Sequence, residues 1–213
     1  MLRLWPFRLL RQQGSLPTTH LPASPPVVLA LGFLSLIALG TVLLKMPFAT
    51  RSPISWFEAF FTATSSVTVT GLTVIEPATV LSIPGQILVT ILVQIGGLGF
   101  VTFAVLAAIT LGKRISLQQQ ALALEAFNQT SVSRIRQTAF SVIKIAFTIQ
   151  GVTMLWLSLW WGRHMDFKDA IYQAYFHVTM AFNNAGMALY EDSLIGLTHD
   201  PISILTLSLM IAL

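Results

Sequence analysis

The stretch Trp56-Phe57-Glu58-Ala59-Phe60-Phe61-Thr62-Ala63-Thr64-Ser65-Ser66-Val67-Thr68-Val69-Thr70-Gly71-Leu72 returns in altered form 115 residues later. The second copy reads Ile171-Tyr172-Gln173-Ala174-Tyr175-Phe176-His177-Val178-Thr179-Met180-Ala181-Phe182-Asn183-Asn184-Ala185-Gly186-Met187. Both keep aromatic-x-Ala-aromatic-Phe-x-x-Thr, and both close on a glycine followed by a large apolar residue. Glu76 and Glu191 then fall at the same offset. The part before each glycine, about 53–66 and 167–181, is long enough for a helix of roughly 20 Å. A helix that short cannot cross a hydrocarbon core of about 30 Å. Each stretch therefore reads as a re-entrant segment, a short helix followed by a loop that returns to the side it came from. Irregular backbone at membrane depth is tolerated only where protein or water covers it, so these loops must face a pore or cavity.

The surrounding sequence has the composition of a membrane protein. Hydrophobic residues make up 54% and charged residues only 9%, with mean hydropathy +0.76. A soluble domain carries about 25% charged residues. Uncharged or nearly uncharged runs lie at 27–44, 83–111 and 135–161, with Trp156, Trp160 and Trp161 at the end of the third as in an aromatic belt. A fourth run begins at Ile202 and is still apolar at Leu213. A dozen residues do not span, so the sequence reads as stopping inside an unfinished span. The first span, moved by the same offset, falls inside the third. The expected fold is therefore an all-α integral membrane protein of tandem parallel span–pore-loop–span repeats, the first complete and the second truncated in its last span.

Basic residues set the orientation. Arg3, Arg8 and Arg11 precede the first span, and Lys113, Arg114, Arg134 and Arg136 lie between the second and third. This places the N-terminus and the 112–134 loop in the cytoplasm. The acids Glu58, Glu76, Asp166, Asp169, Glu191, Asp192 and Asp200 gather on the other side, where a negative field favours cations. The expected organisation is a proline-rich cytoplasmic leader at 1–26, a first unit at 27–112, a cytoplasmic linker at 113–133 and a second unit at 134–213. There is no cysteine, which excludes disulfides and thiolate chemistry. No zinc-protease, serine-hydrolase or phosphate-loop motif is present, so an enzyme is not expected.

A dehydrated cation needs oxygen ligands in place of water, and successive main-chain carbonyls can supply them. Thr68, Val69, Thr70, Gly71 and Leu72 form the first candidate set. β-Branched residues favour extended backbone, and glycine permits positive φ and close chain approach. Asn183, Asn184, Ala185, Gly186 and Met187 take the same place in the second copy, where the asparagine amides are placed to brace the loop. The negative dipole end of each preceding short helix points toward the ion.

At these residues the chain resembles the Trk/Ktr/HKT superfamily of potassium transporters. Ser66-Val67-Thr68-Val69-Thr70-Gly71-Leu72 looks like its first filter, and Ala181-Phe182-Asn183-Asn184-Ala185-Gly186 like the second filter of the Ktr-type membrane subunit. Gln94-Ile95-Gly96-Gly97-Leu98-Gly99-Phe100 and Leu111-Gly112-Lys113-Arg114-Ile115-Ser116 also resemble Ktr-type segments. The resemblance implies four such units around one pore, of which this sequence holds the N-terminal half. It implies potassium uptake across the cell inner (plasma) membrane, with potassium as substrate, sodium as a candidate coupling ion and no bound cofactor. Gly71 goes with potassium selectivity in that family. The implied partners are membrane lipid, a second copy in a homodimer and a cytoplasmic nucleotide-binding regulatory subunit, without nucleic acid.

Other readings stay open at this level. A non-conducting membrane scaffold, or an inactive fragment, would use the same glycines for helix packing. Gly96, Gly97 and Gly99 read as close-packing residues rather than a hinge. His177 occupies the place of Thr62 and reads as a hydrogen-bonded packing residue before an ion ligand or pH sensor.

Overall fold

The computed structural model describes residues 25–99, 132–190 and 193–212. These residues form helices and no named strand; one isolated antiparallel bridge joins Thr50 to Leu81. Helix α1 is Pro25–Lys45, α2 Trp56–Thr68, α3 Pro77–Val80, α4 Ile83–Gly97, α5 Val132–Trp161, α6 Phe167–Phe182 and α7 Pro201–Ala212. A 3₁₀ turn covers Ile195–Leu197.

The expected first and third spans match α1 and α5, and the two short helices match α2 and α6. Among the described residues one helix, over Gln137–Trp161, is long and apolar enough to cross a membrane. Leu29–Lys45, Ile83–Gly97 and Pro201–Ala212 are shorter apolar helices. The second apolar run is not one uninterrupted helix. Helix α4 stops at Gly97, and Gly99 takes φ 84°. Gly99 N–H bonds Gly96 O at 3.1 Å, a turn that ends the helix. Residues 100–131, which hold the rest of that run and most of the linker, fall outside the described residues, as do residues 1–24 of the leader and Glu191 and Asp192.

Local chemistry explains the boundaries. Ser55 caps α2 in a reciprocal box: its backbone N–H bonds Glu58 Oε2 at 2.6 Å, and its hydroxyl accepts from Glu58 N–H at 3.1 Å. The Ser55 backbone N–H, and after it the Ser55 hydroxyl, hold the Glu58 carboxyl below its ordinary range. Asp166 caps α6, and Ser82 caps α4 with Pro84 in its first turn.

Packing follows the chain order. Helix α1 lies on α2 and α2 on α4; α5 lies on α6 and α6 on α7. The two groups meet where α4 touches α6. One buried apolar cluster crosses that seam. It joins Ala59 and Ala63 of α2, Val89 and Val93 of α4, Phe176 and Met180 of α6, and Ala185 and Met187 of the following loop. Tyr172 on α6 also donates to Gln86 on α4, which in turn donates to Pro77 O and Leu81 O. The outside of the bundle stays apolar: Leu31, Leu34, Val152, Leu155, Leu159, Leu205 and Leu209 are exposed. Exposed leucines on this scale suit a lipid environment and would be a liability in water.

Candidate functional site

The two short helices end alike. Val69 N–H bonds Ser66 O at 3.3 Å, and Thr70 N–H bonds Ser65 O at 2.9 Å. In the second copy Asn184 N–H bonds Ala181 O at 3.0 Å, and Ala185 N–H bonds Met180 O at 2.8 Å. This is the paired bonding of a Schellman C-cap, with the residue past the cap left-handed. That residue is Val69 at φ 54° in one loop and Asn184 at φ 58° in the other. Two residues on, Gly71 has φ 80° and Gly186 has φ 64°. Every one of these features repeats at the offset of 115 residues seen in the sequence.

The first candidate set differs in one respect from its sequence reading. Thr68 is the last residue of α2 and Val69 is left-handed, so extended backbone does not begin at Thr68. The helix cap requires a positive φ there and overrides the β-branched preference. The Thr68 hydroxyl donates to Thr64 O at 2.8 Å and lies 2.6 Å from the Thr70 hydroxyl.

The loops touch each other. A Cβ placed on Gly71 would lie 2.8 Å from Ala185 O, and one on Gly186 would lie 3.4 Å from Gly71 Cα. Thus Gly71 and the Ala185–Gly186 segment are brought together, and the C-terminal ends of α2 and α6 arrive at the loops that meet there. Both helix dipoles present their negative ends at that place. Asn183 is buried at the end of α6, and Leu72 is exposed. Met187 is buried in the cluster that crosses the seam.

The supports beneath the loops come from α4. A Cβ on Gly96 would fall 2.0 Å from Val67 O, and one on Gly97 would fall 2.1 Å from Asn183 Oδ1. The two glycines let α4 run against the ends of both short helices. Asn183 Nδ2 donates to Gln94 Oε1 at 3.0 Å and to Thr179 O at 2.8 Å. Nothing in the sequence assigns Gln94 a role; its partner lies 89 residues away, and only the fold brings them together.

His177 is 2% exposed. Its Nδ1 lies 2.8 Å from Gln173 O, and its Nε2 accepts from Leu189 N–H at 3.3 Å. The ring stacks on Tyr190 with centroids 4.9 Å apart and meets Trp161 edge-on. Leu189 and Tyr190 carried no signal in the sequence, since backbone donors leave no residue-type trace. Among the described residues no group of His, Cys, Asp and Glu could hold a metal ion by side chains.

Comparison with known proteins places the chain among transport proteins. A family model described as TrkH, cation transport protein, matches residues 26–213. The Ktr system potassium uptake protein B of Bacillus subtilis is 40% identical over 178 residues, which covers 84% of this chain and 40% of the relative. The protein of the same name from Vibrio alginolyticus is 37% identical over 183 residues, covering 86% of this chain and 40% of the relative. The potassium/sodium uptake protein NtpJ of Enterococcus hirae is 36% identical over 174 residues, covering 81% and 39%. The chain thus spans about two-fifths of the length of these relatives. They are transport proteins rather than enzymes, and they imply a membrane location. Matched over nearly its whole length, the chain belongs to the TrkH family of cation transport proteins.

Proposed function

We propose that this chain supplies two of the ion-binding loops of a potassium-uptake transporter. Main-chain carbonyls of Thr68–Leu72 and Asn183–Met187 replace the water of a dehydrated potassium ion. The chain is then a tandem of span–pore-loop–span units, with the first at 27–112 and the second beginning at 134. The observation that carries this reading is the doubled geometry. Two half-length helices end in the same cap, each followed by left-handed residues at matching positions, and the two loops meet at Gly71 and Gly186. Positive φ at Gly71 and Gly186 is open to glycine and suits a backbone that turns its carbonyls toward one axis.

The Ktr names of the relatives support potassium as the substrate, and the word sodium in the name of the third supports sodium as a second or coupling ion. A second copy of the protein, a cytoplasmic nucleotide-binding regulatory subunit and surrounding lipid complete the assembly. The protein lies in the cell inner (plasma) membrane with its N-terminus in the cytoplasm, the side marked by the Lys/Arg excess.

Uptake of potassium and sodium by the full-length transporter that carries this chain tests the proposal. Gly71→Ser should narrow the potassium-over-sodium preference at least tenfold. An unchanged preference, with the protein present in the membrane at wild-type level, would overturn it.

A further inference from the structure

We propose that His177 is a positioning residue for the second ion-binding loop, acting as a neutral hydrogen-bond acceptor for the loop's returning limb. This deepens the function proposed above and rests on it. The short helix α6 carries His177 one to two turns before the loop begins. The chain then passes through Asn184 and Gly186 and turns back, so Leu189 comes beside the ring. There its backbone N–H meets Nε2 at 3.3 Å. An Nε2 that accepts leaves the ring proton on Nδ1, which is placed to donate to Gln173 O at 2.8 Å. Both ring nitrogens are then satisfied in the neutral form, with the tautomer fixed by its two partners. Tyr190 on the face and Trp161 and Phe176 at the edges hold the ring in that orientation.

The consequence reaches both loops. The cap at Asn184 fixes the descending side of the second loop, and His177 fixes the returning side, so Ala185 and Gly186 are held between two anchors. Gly71 of the first loop packs on Ala185 O, so its position depends on theirs. Among the described residues the first loop has no equivalent anchor. At the matching position Thr62 is buried, and its hydroxyl has no hydrogen-bond partner among the described residues. A displaced second loop therefore moves oxygens in both candidate sets, which is why the effect is expected in ion preference and not only in stability.

The test compares two side chains of the same length in the full-length transporter. In His177→Gln a carbonyl oxygen can still accept from Leu189 N–H; in His177→Met nothing comparable can. Uptake is measured per molecule of transporter in the membrane, for potassium and for sodium. The expected result is that H177M raises the potassium KM and narrows the potassium-over-sodium ratio by about fivefold, the scale of one lost hydrogen bond. H177Q should stay within about twofold of wild type. Equal ratios in wild type and H177M overturn the proposal, as does an equal loss in both variants. Should H177M not reach the membrane, ¹⁵N spectra of the wild-type histidine decide. A ring protonated on Nδ1 and bare on Nε2 supports the role, and the opposite tautomer or a doubly protonated ring overturns it. Failure here is separable from failure of the function itself. A wild type that responds to Gly71→Ser while ignoring H177M loses only this role.

Discussion

The first loop, after α2, and the second, after α6, have the same backbone but are held by different means. In the first, the left-handed cap position carries Val69, a residue whose branched side chain disfavours that conformation. Among the described residues it has no deep side-chain tie of its own and relies on the Thr68–Thr70 hydroxyl contact and on the neighbouring loop. In the second, Asn184 occupies the cap position that asparagine tolerates well. Asn183 is tied to Gln94, and the returning limb is tied to His177. The difference teaches that the backbone path is the shared requirement, while the side chains enforcing it are free to differ. A strained residue kept at Val69 fits a site where geometry outranks local preference.

Substitutions can sharpen or break this contrast. The largest effect is expected below both loops, at Gly96. An alanine Cβ there would fall on Val67 O, a backbone atom that cannot step aside. Gly96→Ala should therefore lower stability by about 3 kcal/mol or more, read as loss of folded protein from the membrane. Wild-type levels would mean that α4 does not press on the end of α2 as described.

Next comes Asn183→Ala. It removes two hydrogen bonds at a buried position and leaves the Gln94 carbonyl without its donor. A loss of about 2 kcal/mol is expected in thermal or denaturant unfolding in detergent. Hydrogen exchange should rise in the second loop more than in the first. Equal exchange in both loops would break the claim that the second has its own side-chain anchors.

Exchanging the cap residues should act in opposite directions. Val69→Asn relieves a left-handed β-branched residue and should raise stability by about 1 kcal/mol. Asn184→Val should lower it by a similar amount. Melting temperatures of the two variants check this, and shifts of the same sign would contradict it.

The smallest effect is expected at the N-terminal end of α2. Ser55→Ala removes half of the capping box and should lower stability by under about 1 kcal/mol. The Glu58 carboxyl is held below its ordinary value of 4.5 by its bonds to Ser55. Its contribution is therefore full above that value and is lost as pH falls through the lowered one. Wild type should therefore lose stability as acid titrates Glu58, whereas Glu58→Gln should show no such loss, as melting curves across pH would record; Ser55→Ala keeps the backbone N–H and so keeps most of the wild-type pH dependence.

Much of this architecture was legible in the sequence. The apolar runs at 27–44 and 135–161 gave α1 and α5 to within a few residues, because uninterrupted apolar length is a strong signal. The two short helices were legible from their duplicated aromatic pattern, and the motifs around Gly71 and Gly186 pointed to the family that the whole-chain match gives. Three features were not legible. Threonine and valine around Gly71 read as extended chain, whereas the cap of α2 turns Val69 left-handed. The run from residue 83 to 111 held no charge or proline after Pro84 to mark a stop, and the stop came from Gly97 and Gly99. The bonds of Asn183 to Gln94 and of His177 to Leu189 depend on how distant or backbone groups meet, which residue types do not encode. For His177 the sequence favoured a hydrogen-bonded packing residue, and its two partners agree with that.

The central claim is that main-chain oxygens of the two loops hold the ion. Anomalous scattering from rubidium, soaked in place of potassium into crystals of the full-length transporter, tests it most directly. The account predicts a peak bounded by carbonyls from both Thr68–Leu72 and Asn183–Met187, absent when sodium alone is present. A protein that binds rubidium only elsewhere, with those oxygens turned into protein packing, would contradict it.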